Sequence, residues 1–461
     1  MKQLRATIGL TLVAGVGLLL CIAQPDLAAQ QKEKKKVVKE EMVYPPKLPG
    51  GKQHVVDTSD DFLKSTADLL PDVKIAKTAP TIEFMYLPGQ DYKGNPWSAW
   101  GDSTFANGKY YTAFGDHLAP GGNAYIYEYD PEKKSFRQLC DIRKVLNLQE
   151  GMYTPGKVHT TLTVASDGWI YFGTHRGSTT VTSKAPGYKG DWIIRCHPET
   201  GKAEVVVEGP VARHCIPTGF LDPQRLIFYA GTAPPTADKD AKVHFFAYDV
   251  KNRKMLCDVE DGPARAMIFS KSTGRVWYNQ SSGGSLMRYD PIKGGDPIKI
   301  EGDIGIRAAT DETPNGIVYT VSQGNKKGES GSDLYAFNVK TETIEKIGPM
   351  EVGTSLYITS LDIDPTGRYI YYVPGAHGGA ERDGSPVVQF DLKTKTKKVL
   401  AFLHPFYKEK YGAIPSGSYS VALSDKGDKL FITWNTNRST AKVWECMAMT
   451  VLNIPEAERV P

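Results

Sequence analysis

Nine histidines are the residues in this sequence best matched to proton chemistry near neutral pH, because imidazole titrates there. Two of them bracket one short stretch of chain, in Lys157-Val158-His159-Thr160-Thr161 and Phe172-Gly173-Thr174-His175-Arg176-Gly177. Before it runs Glu150-Gly151-Met152-Tyr153-Thr154-Pro155-Gly156, glycine-rich with one aromatic, and after it a long polar stretch to Asp191 that contains Tyr188. Arg176, Arg213, Arg265 and Arg307 offer paired N–H donors, the geometry that suits a carboxylate. Imidazole is also a metal ligand, and His117, His214 and His377 form a candidate ligand set drawn from separate loops. The cofactor is left open between none and a divalent ion (manganese, zinc or calcium), with imidazole donors favouring manganese, iron or zinc over calcium.

What would position these residues is a weak internal repeat. Turn-forming pairs recur at Asn107-Gly108, Asp167-Gly168, Thr273-Gly274, Asn315-Gly316 and Thr366-Gly367, with looser versions at Asp222-Pro223 and Lys426-Gly427. Each leads into a run dense in aromatic and β-branched residues, such as Ile170-Tyr171-Phe172, Val276-Trp277-Tyr278 and Tyr369-Ile370-Tyr371-Tyr372. This is the hairpin signature. A second hairpin is announced by an aromatic-acid pair at Tyr129-Asp130, Tyr248-Asp249, Tyr289-Asp290, Phe337-Asn338 and Phe390-Asp391, with Cys196-His197 in the corresponding place. Successive markers lie roughly 40–55 residues apart, with one longer gap, the period of four-stranded propeller blades.

Seven units begin near Trp97, Val158, Arg213, Arg265, Arg307, Tyr357 and Tyr419, which predicts an all-β, seven-bladed β-propeller of antiparallel blades over 81–461. The last unit runs out of chain, while Thr81–Leu87 is an orphan strand before the first. Pairing the two ends, with Thr81–Leu87 as outer edge, would close the ring and remove exposed sheet edges. Ser59–Leu70 reads as the one short helix, within a helical lead-in over 53–80.

In such a blade, the loop entering the innermost strand and the loop leaving the second strand open on the same face. His159 and His214 enter inner strands, whereas His117, His175 and His377 leave second strands, so five histidines share one face. Arg213, Arg265, Arg307 and Tyr357 stand at inner-strand entrances on that face, and Arg176 adjoins His175. The competing interpretation is that channel-facing polar residues only bind water and satisfy loop carbonyls.

Met1–Arg5 is basic and Ala6–Ile22 almost wholly apolar, the pattern of a secretory signal over 1–29 and of a secreted or periplasmic protein. Residues 30–52, with Lys34-Lys35-Lys36, Pro45-Pro46 and Gly50-Gly51, read as a disordered tether. No later stretch is apolar and long enough to span a membrane. The net charge of +4 is slight, and no basic face with aromatic stacking positions suggests nucleic acid. Of six cysteines, the five beyond the signal are scattered, so no disulfide framework is expected, and no Cys-x-x-Cys-His occurs for covalent haem. Cys196-His197 and His214-Cys215 lack zinc-ligand spacing. Nucleophile-elbow, phosphate-loop and dinucleotide motifs are absent.

The Gly-x-aromatic strands resemble those of streptogramin lyases and other secreted enzymatic propellers, without the WD signature. The bracketing pair of histidines, with tyrosine and arginine from neighbouring blades, resembles the sites of propeller polysaccharide lyases of the ulvan-lyase type. That resemblance implies β-elimination on a uronate: a base removes the proton α to the carboxylate, a cation stabilises the enediolate, and an acid protonates the leaving oxygen. It places His159 and His175 as the catalytic pair, Arg213 or Arg265 as neutraliser, and Tyr229 or Tyr188 as the tyrosine. Tyr153, Arg176, Tyr188, Arg307 and Tyr357 become candidate substrate-binding residues. Oligogalacturonate lyases, also propellers, suggest metal-assisted elimination. The partner is thus an acidic polysaccharide, or, if the protein is a non-catalytic propeller subunit, a protein docked on the channel face. A lactonase or streptogramin-lyase relative is a third alternative.

Overall fold

A computed structural model describes residues 42–118, 122–149, 152–176, 187–234, 241–263, 265–323, 331–438 and 444–459. The expected signal (1–29), most of the tether, and most of the polar loop after Arg176 lie outside the described residues.

The chain folds into seven antiparallel sheets arranged as the blades of a β-propeller. Blade 1 is Trp97–Ser98 with Thr104–Ala106, then Lys109–Asp116, Ala124–Asp130 and Ser135–Asp141. Blade 2 is Lys157–Val158 with Thr163–Val164, then Ile170–His175, Trp192–Cys196 and Ala203–Glu208. Blades 3, 4 and 5 begin with the inner strands Cys215–Asp222, Ile268–Phe269 and Ala308–Ala309, and blade 6 with Leu361–Ile363. Blade 7 contains Ile414–Leu423, Lys429–Asn437 and Cys446–Asn453. Core clusters lie between successive blades, built from residues such as Tyr229, Phe245, Trp277 and Tyr371 that are fully buried.

The repeat markers have physical causes. At Asn107-Gly108 both residues take positive φ, 52° and 74°, the turn that matches strand twist. The acid of each aromatic-acid pair accepts backbone N–H groups two or three residues on: Asp130 from Glu132 and Lys133, Asp249 from Asn252, Asp290 from Ile292, Asn338 from Lys340, and Asp391 from Lys393. The aromatic partner faces the inter-blade core. In blade 2 His197 Nδ1 takes the same role, accepting from Glu199 and Thr200 at 3.3 and 3.4 Å. His197 therefore caps a turn.

Thr81–Tyr86 pairs along its length with Cys446–Asn453, so one sheet holds both ends of the repeat region. It is not the outer edge: His54–Thr58 pairs outside it, giving blade 7 five strands. Val73–Ile75 adds a parallel fifth strand to blade 6. The lead-in over 53–80 is accordingly two strands and not a helix. Only one turn, Asp60–Leu63, coils; Ser59 caps it by accepting from Asp61 N, and Phe62 is fully buried beneath it. Edge pairing satisfies the backbone that a marginal helix would otherwise have to satisfy alone. At the other end Glu458 accepts from the backbone N–H of Lys77 and Thr78 at 2.6 and 2.9 Å, and pairs with Lys398 at 2.7 Å. No helix among the described residues is long and apolar enough to cross a membrane.

Candidate functional site

The inner strands of the blades enclose a channel cavity of about 580 Å³, lined near one mouth by Trp100, His159, Arg265, Arg307 and Tyr419. Trp100 is the centre of that mouth. Its backbone neighbour is pinned across the ring closure: Asn435 Oδ1 accepts from Ala99 N at 2.9 Å, and Asn435 Nδ2 donates to Ala99 O at 3.1 Å. The indole N–H donates to Ser98 Oγ at 2.8 Å, and Ser98 Oγ meets His117 Nδ1 at 2.8 Å. Around the indole lie His117 at 5.1 Å, His377 at 5.6 Å, His159 at 6.0 Å, Tyr419 at 5.0 Å and Trp444 at 4.6 Å, centroid to centroid.

His159 and His175 do converge, with ring centroids 5.5 Å apart. His377 Nδ1 meets Tyr419 Oη at 2.6 Å. Arg307 Nε donates to Tyr357 Oη at 2.7 Å, and its guanidinium stands 4.8 and 5.8 Å from the Tyr357 and Tyr419 rings. Lys157, half-buried, places its ammonium nitrogen 3.8 Å from the Trp100 ring centroid. The mouth therefore gathers imidazoles, phenols and cations.

Electrostatics follow from that composition. Burial, reinforced by Lys157, holds His117 down to about 3. Burial together with Lys157 and neighbouring arginines holds His159 well below the usual imidazole value, and His175 is depressed by burial, Lys157 and His159. His377 is lowered by burial, Lys157 and Arg307. These histidines are neutral at pH 7. Burial raises the Tyr419 phenol, which keeps it a proton donor. Lys157 is itself pushed down to about 7 by burial and the adjacent Arg265 and Arg176.

Carboxylates are set farther along the channel. Asp102 accepts from Ser360 Oγ and Ser103 N, both at 2.9 Å, while Asp362 accepts from Leu423 N at 2.6 Å and Ile363 N at 2.8 Å. Burial, with repulsion from Asp362 contributing, raises Asp102 to about 8; burial, with repulsion from Asp311 contributing, raises Asp362 to about 7. These groups stitch blades 1, 6 and 7 together along the inner strands.

Other expected site residues are placed elsewhere. Arg213 is exposed in a turn at φ 60°, its backbone N–H bound to Lys189 O, and contributes nothing to the mouth. Tyr229 is fully buried between blades, donating to Gly274 O at 3.0 Å; it is core. Tyr153 and Tyr188 both donate to Asp191, at 3.2 and 3.0 Å, and Thr174 joins them at 3.0 Å. Those phenols are consumed by a buried carboxylate that burial raises to about 7. Arg176 donates to Pro234 O at 2.7 Å and to the Cys215 sulfur at 3.1 Å. His214 stands apart with Thr232 Oγ1 at 2.8 Å and the His244 ring at 5.0 Å. Among the described residues no group of three or more His, Cys, Asp or Glu is arranged to hold a metal ion, so His117, His214 and His377 do not fit a shared ion. His117 and His377 both pack against Trp100, and His214 immediately precedes the inner strand of blade 3.

Trp100, Lys157, Tyr419 and Trp444 are site residues that sequence reasoning missed. Two carried a signal. Tyr419 occupies the repeat position of Tyr357, Arg307 and Arg265, and Lys157 precedes His159 by two, the spacing that puts strand residues on one face.

The fold places the protein in the class of seven-bladed β-propellers. No protein-family model and no curated protein matches the sequence. Solved structures similar to it include an oligogalacturonate lyase in complex with manganese, 13% identical with TM-score 0.52, covering 85% of this chain and 97% of that one. An oligogalacturonate lyase from Vibrio parahaemolyticus is 11% identical with TM-score 0.52, covering 88% and 100%. A chain of a mitotic checkpoint complex is 11% identical with TM-score 0.49, covering 81% and 91%. At such identities the likeness is one of fold.

Proposed function

We propose that this protein is an exported polysaccharide lyase that cleaves an acidic, uronate-containing glycan by β-elimination at the Trp100 mouth. One observation carries the reading: neutral imidazoles, a phenol and unneutralised cations share a mouth from which the carboxylates are withdrawn. Arg265 and Arg307 hold the uronate carboxylate and the enediolate that grows on it. His159, neutral, takes the proton α to the carboxylate. The released electron pair forms the C=C bond, the β C–O bond breaks, and Tyr419 donates its proton to the departing oxygen. His175 supports His159. Tyr419 and Arg307 thus take the roles first given to Tyr229 and Arg213. No step is routed through a metal, since among the described residues no three such donors converge on one. Export rests on the Met1–Ile22 pattern.

The test is a screen of uronate polysaccharides read by near-ultraviolet absorbance of the unsaturated product, with and without added manganese. A signal lost in His159→Ala and His175→Ala, with the circular dichroism unchanged, supports the reading; no signal from any acidic glycan overturns it. A second reading, a non-catalytic propeller that binds a protein partner on this face, is favoured by the engagement of His117 with Ser98 and His377 with Tyr419. It predicts a stable partner on co-purification from the native source.

A further inference from the structure

Arg265 does not belong to the channel alone. It also lines a second cavity of about 460 Å³ between blades 4 and 5. The walls of that cleft are the loop leaving Val276–Asn279 of blade 4, the connection 302–306 into blade 5, and Ser322-Gln323 after Ile317–Val321 of blade 5. Loops that leave second strands or enter inner strands open on the face of the Trp100 mouth, so the cleft and the channel share a face. Hydrogen bonds tie the walls together. Asn279 Nδ2 donates to Ile304 O at 2.7 Å, and Ser322 Oγ accepts from Asp333 N at 2.9 Å. Asp261 fixes the loop between by accepting from Ser281 Oγ at 3.0 Å and Ser282 Oγ at 2.7 Å. A Cβ on Gly305 would stand 2.3 Å from the Ser322 Cβ, so the glycine is what lets the connection lie against blade 5. The cleft is preformed.

Its lining is polar. Asn279, Gln280 and Gln323 each carry a carbonyl oxygen and an NH2 group, the pairing that meets neighbouring sugar hydroxyls, which both donate and accept. The ionised side chains that line it are Arg265, Asp303 and Asp333. Lys346 matches Asp333 at 2.8 Å, whereas Asp303 is exposed and has no ion pair among the described residues. A carboxylate entering the cleft would meet Asp303, and the one cation there is the guanidinium that already holds the uronate in the channel. We propose that this cleft is the subsite beside the reacting uronate and that it takes an uncharged sugar, so that the substrate is a glycan whose uronates are flanked by neutral residues and not a polyuronate. The uronate carboxylate sits on the channel side of Arg265, and the next ring lies among the amides. The inference rests on the elimination reading for the reacting sugar and assigns its neighbour.

The experiment compares rhamnogalacturonan I backbone and gellan, where neutral sugars flank each uronate, with polygalacturonate and alginate, where uronates do. The full-length protein is assayed by near-ultraviolet absorbance at equal uronate concentration. At low salt kcat/KM should favour the first pair by at least about tenfold. In about 1 M salt, where the Debye length falls to about 3 Å, that advantage should shrink. Asp303→Lys turns the repulsion into attraction and should raise kcat/KM on polygalacturonate by roughly three- to tenfold. Calorimetric titration reads the cleft without turnover: a tetramer of alternating rhamnose and galacturonate should bind wild type more tightly than tetragalacturonate, with the difference reduced in Asp303→Lys. Equal or faster cleavage of the polyuronates, equal binding of the two tetramers, or no response to Asp303→Lys overturns the neutral subsite and leaves the elimination standing. Preference for the alternating tetramer with no unsaturated product from any glycan overturns the elimination and leaves the cleft a glycan-binding site. Binding of neither tetramer, with no product, overturns both.

Discussion

We propose that the pairing of Thr81–Tyr86 with Cys446–Asn453 closes the ring, so that stability of the whole ring depends on one strand, and Phe84 is where that dependence is measured. Phe84 is fully buried, stacked on Tyr407 at 4.7 Å and on Tyr411 at 6.4 Å, with its edge to Tyr86 at 5.5 Å. It faces Val55 on one side and Thr450 on the other. Phe84→Ala removes a ring held on every side by elements from both chain ends and from the Phe406–Tyr411 helix, so little can collapse into the space. Large-to-small changes at such aromatic positions cost about 3–5 kcal/mol, and loss of the ring pairs puts this one at the upper end. Urea unfolding followed by far-ultraviolet circular dichroism gives the free energy, and hydrogen exchange gives its distribution. On that proposal, protection should fall in Val276–Asn279 of blade 4 as much as in blade 7. Thr81→Ala, whose hydroxyl meets Thr58 at 2.7 Å in an exposed position, should stay within about 0.5 kcal/mol of wild type. A loss below about 1 kcal/mol for Phe84→Ala, or one confined to blades 6 and 7, would refute the closure argument.

Three further outcomes are expected. His117 is buried and held at about 3, below its unfolded value of about 6.5. Its contribution is therefore present above pH 6.5 and lost as pH falls, because only the unfolded chain takes up the proton. Between pH 7.5 and 5 the stability advantage of wild type over His117→Gln should shrink by about 2 kcal/mol, measured by urea titration at each pH; a constant difference contradicts the depressed value. Asp191→Ala strands the Tyr153, Tyr188 and Thr174 hydroxyls and should cost at least about 1–3 kcal/mol, while Asp191→Asn, which keeps an acceptor, should cost distinctly less by the same measurement. If the elimination reading holds, Tyr419→Phe keeps the ring packed on Trp100 but removes the donor, and should lower the rate of unsaturated-product formation by about 10²–10⁴-fold with the melting curve little changed.

The ring was legible because its signals are local. A turn needing positive φ at Asn107-Gly108 and an acid capping the next turn at Asp130 or Asp391 act within a few residues, and each recurs once per blade. The lead-in was not legible for the complementary reason. His54–Thr58 and Val73–Ile75 are strands only because blade edges at Thr81–Tyr86 and Thr396–Phe402 are there to pair with them. Nothing within 53–80 announces those partners, and the helix-like spacing of Ser59–Leu70 yields to long-range pairing.

At the site, the repeat located the face but could not say which side chains were already committed. Arg265, Arg307 and Tyr357 do stand at the mouth, as their position at inner-strand entrances implies, yet Arg213 at the same repeat position turns outward. Tyr153 and Tyr188 were plausible ligand contacts until Asp191, three residues past Tyr188, claimed both hydroxyls. The decisive residue, Trp100, lies two positions past the strand Trp97–Ser98, whose register places Trp97 in the core, and the loop pinned by Asn435 from blade 7 brings its indole to the centre. That pin matters chemically. The indole it places packs against His117 and His377 and offers its face to the Lys157 ammonium. The channel has cations and neutral imidazoles at one mouth with Asp102 and Asp362 farther in, where those carboxylates bind blades 1, 6 and 7 together.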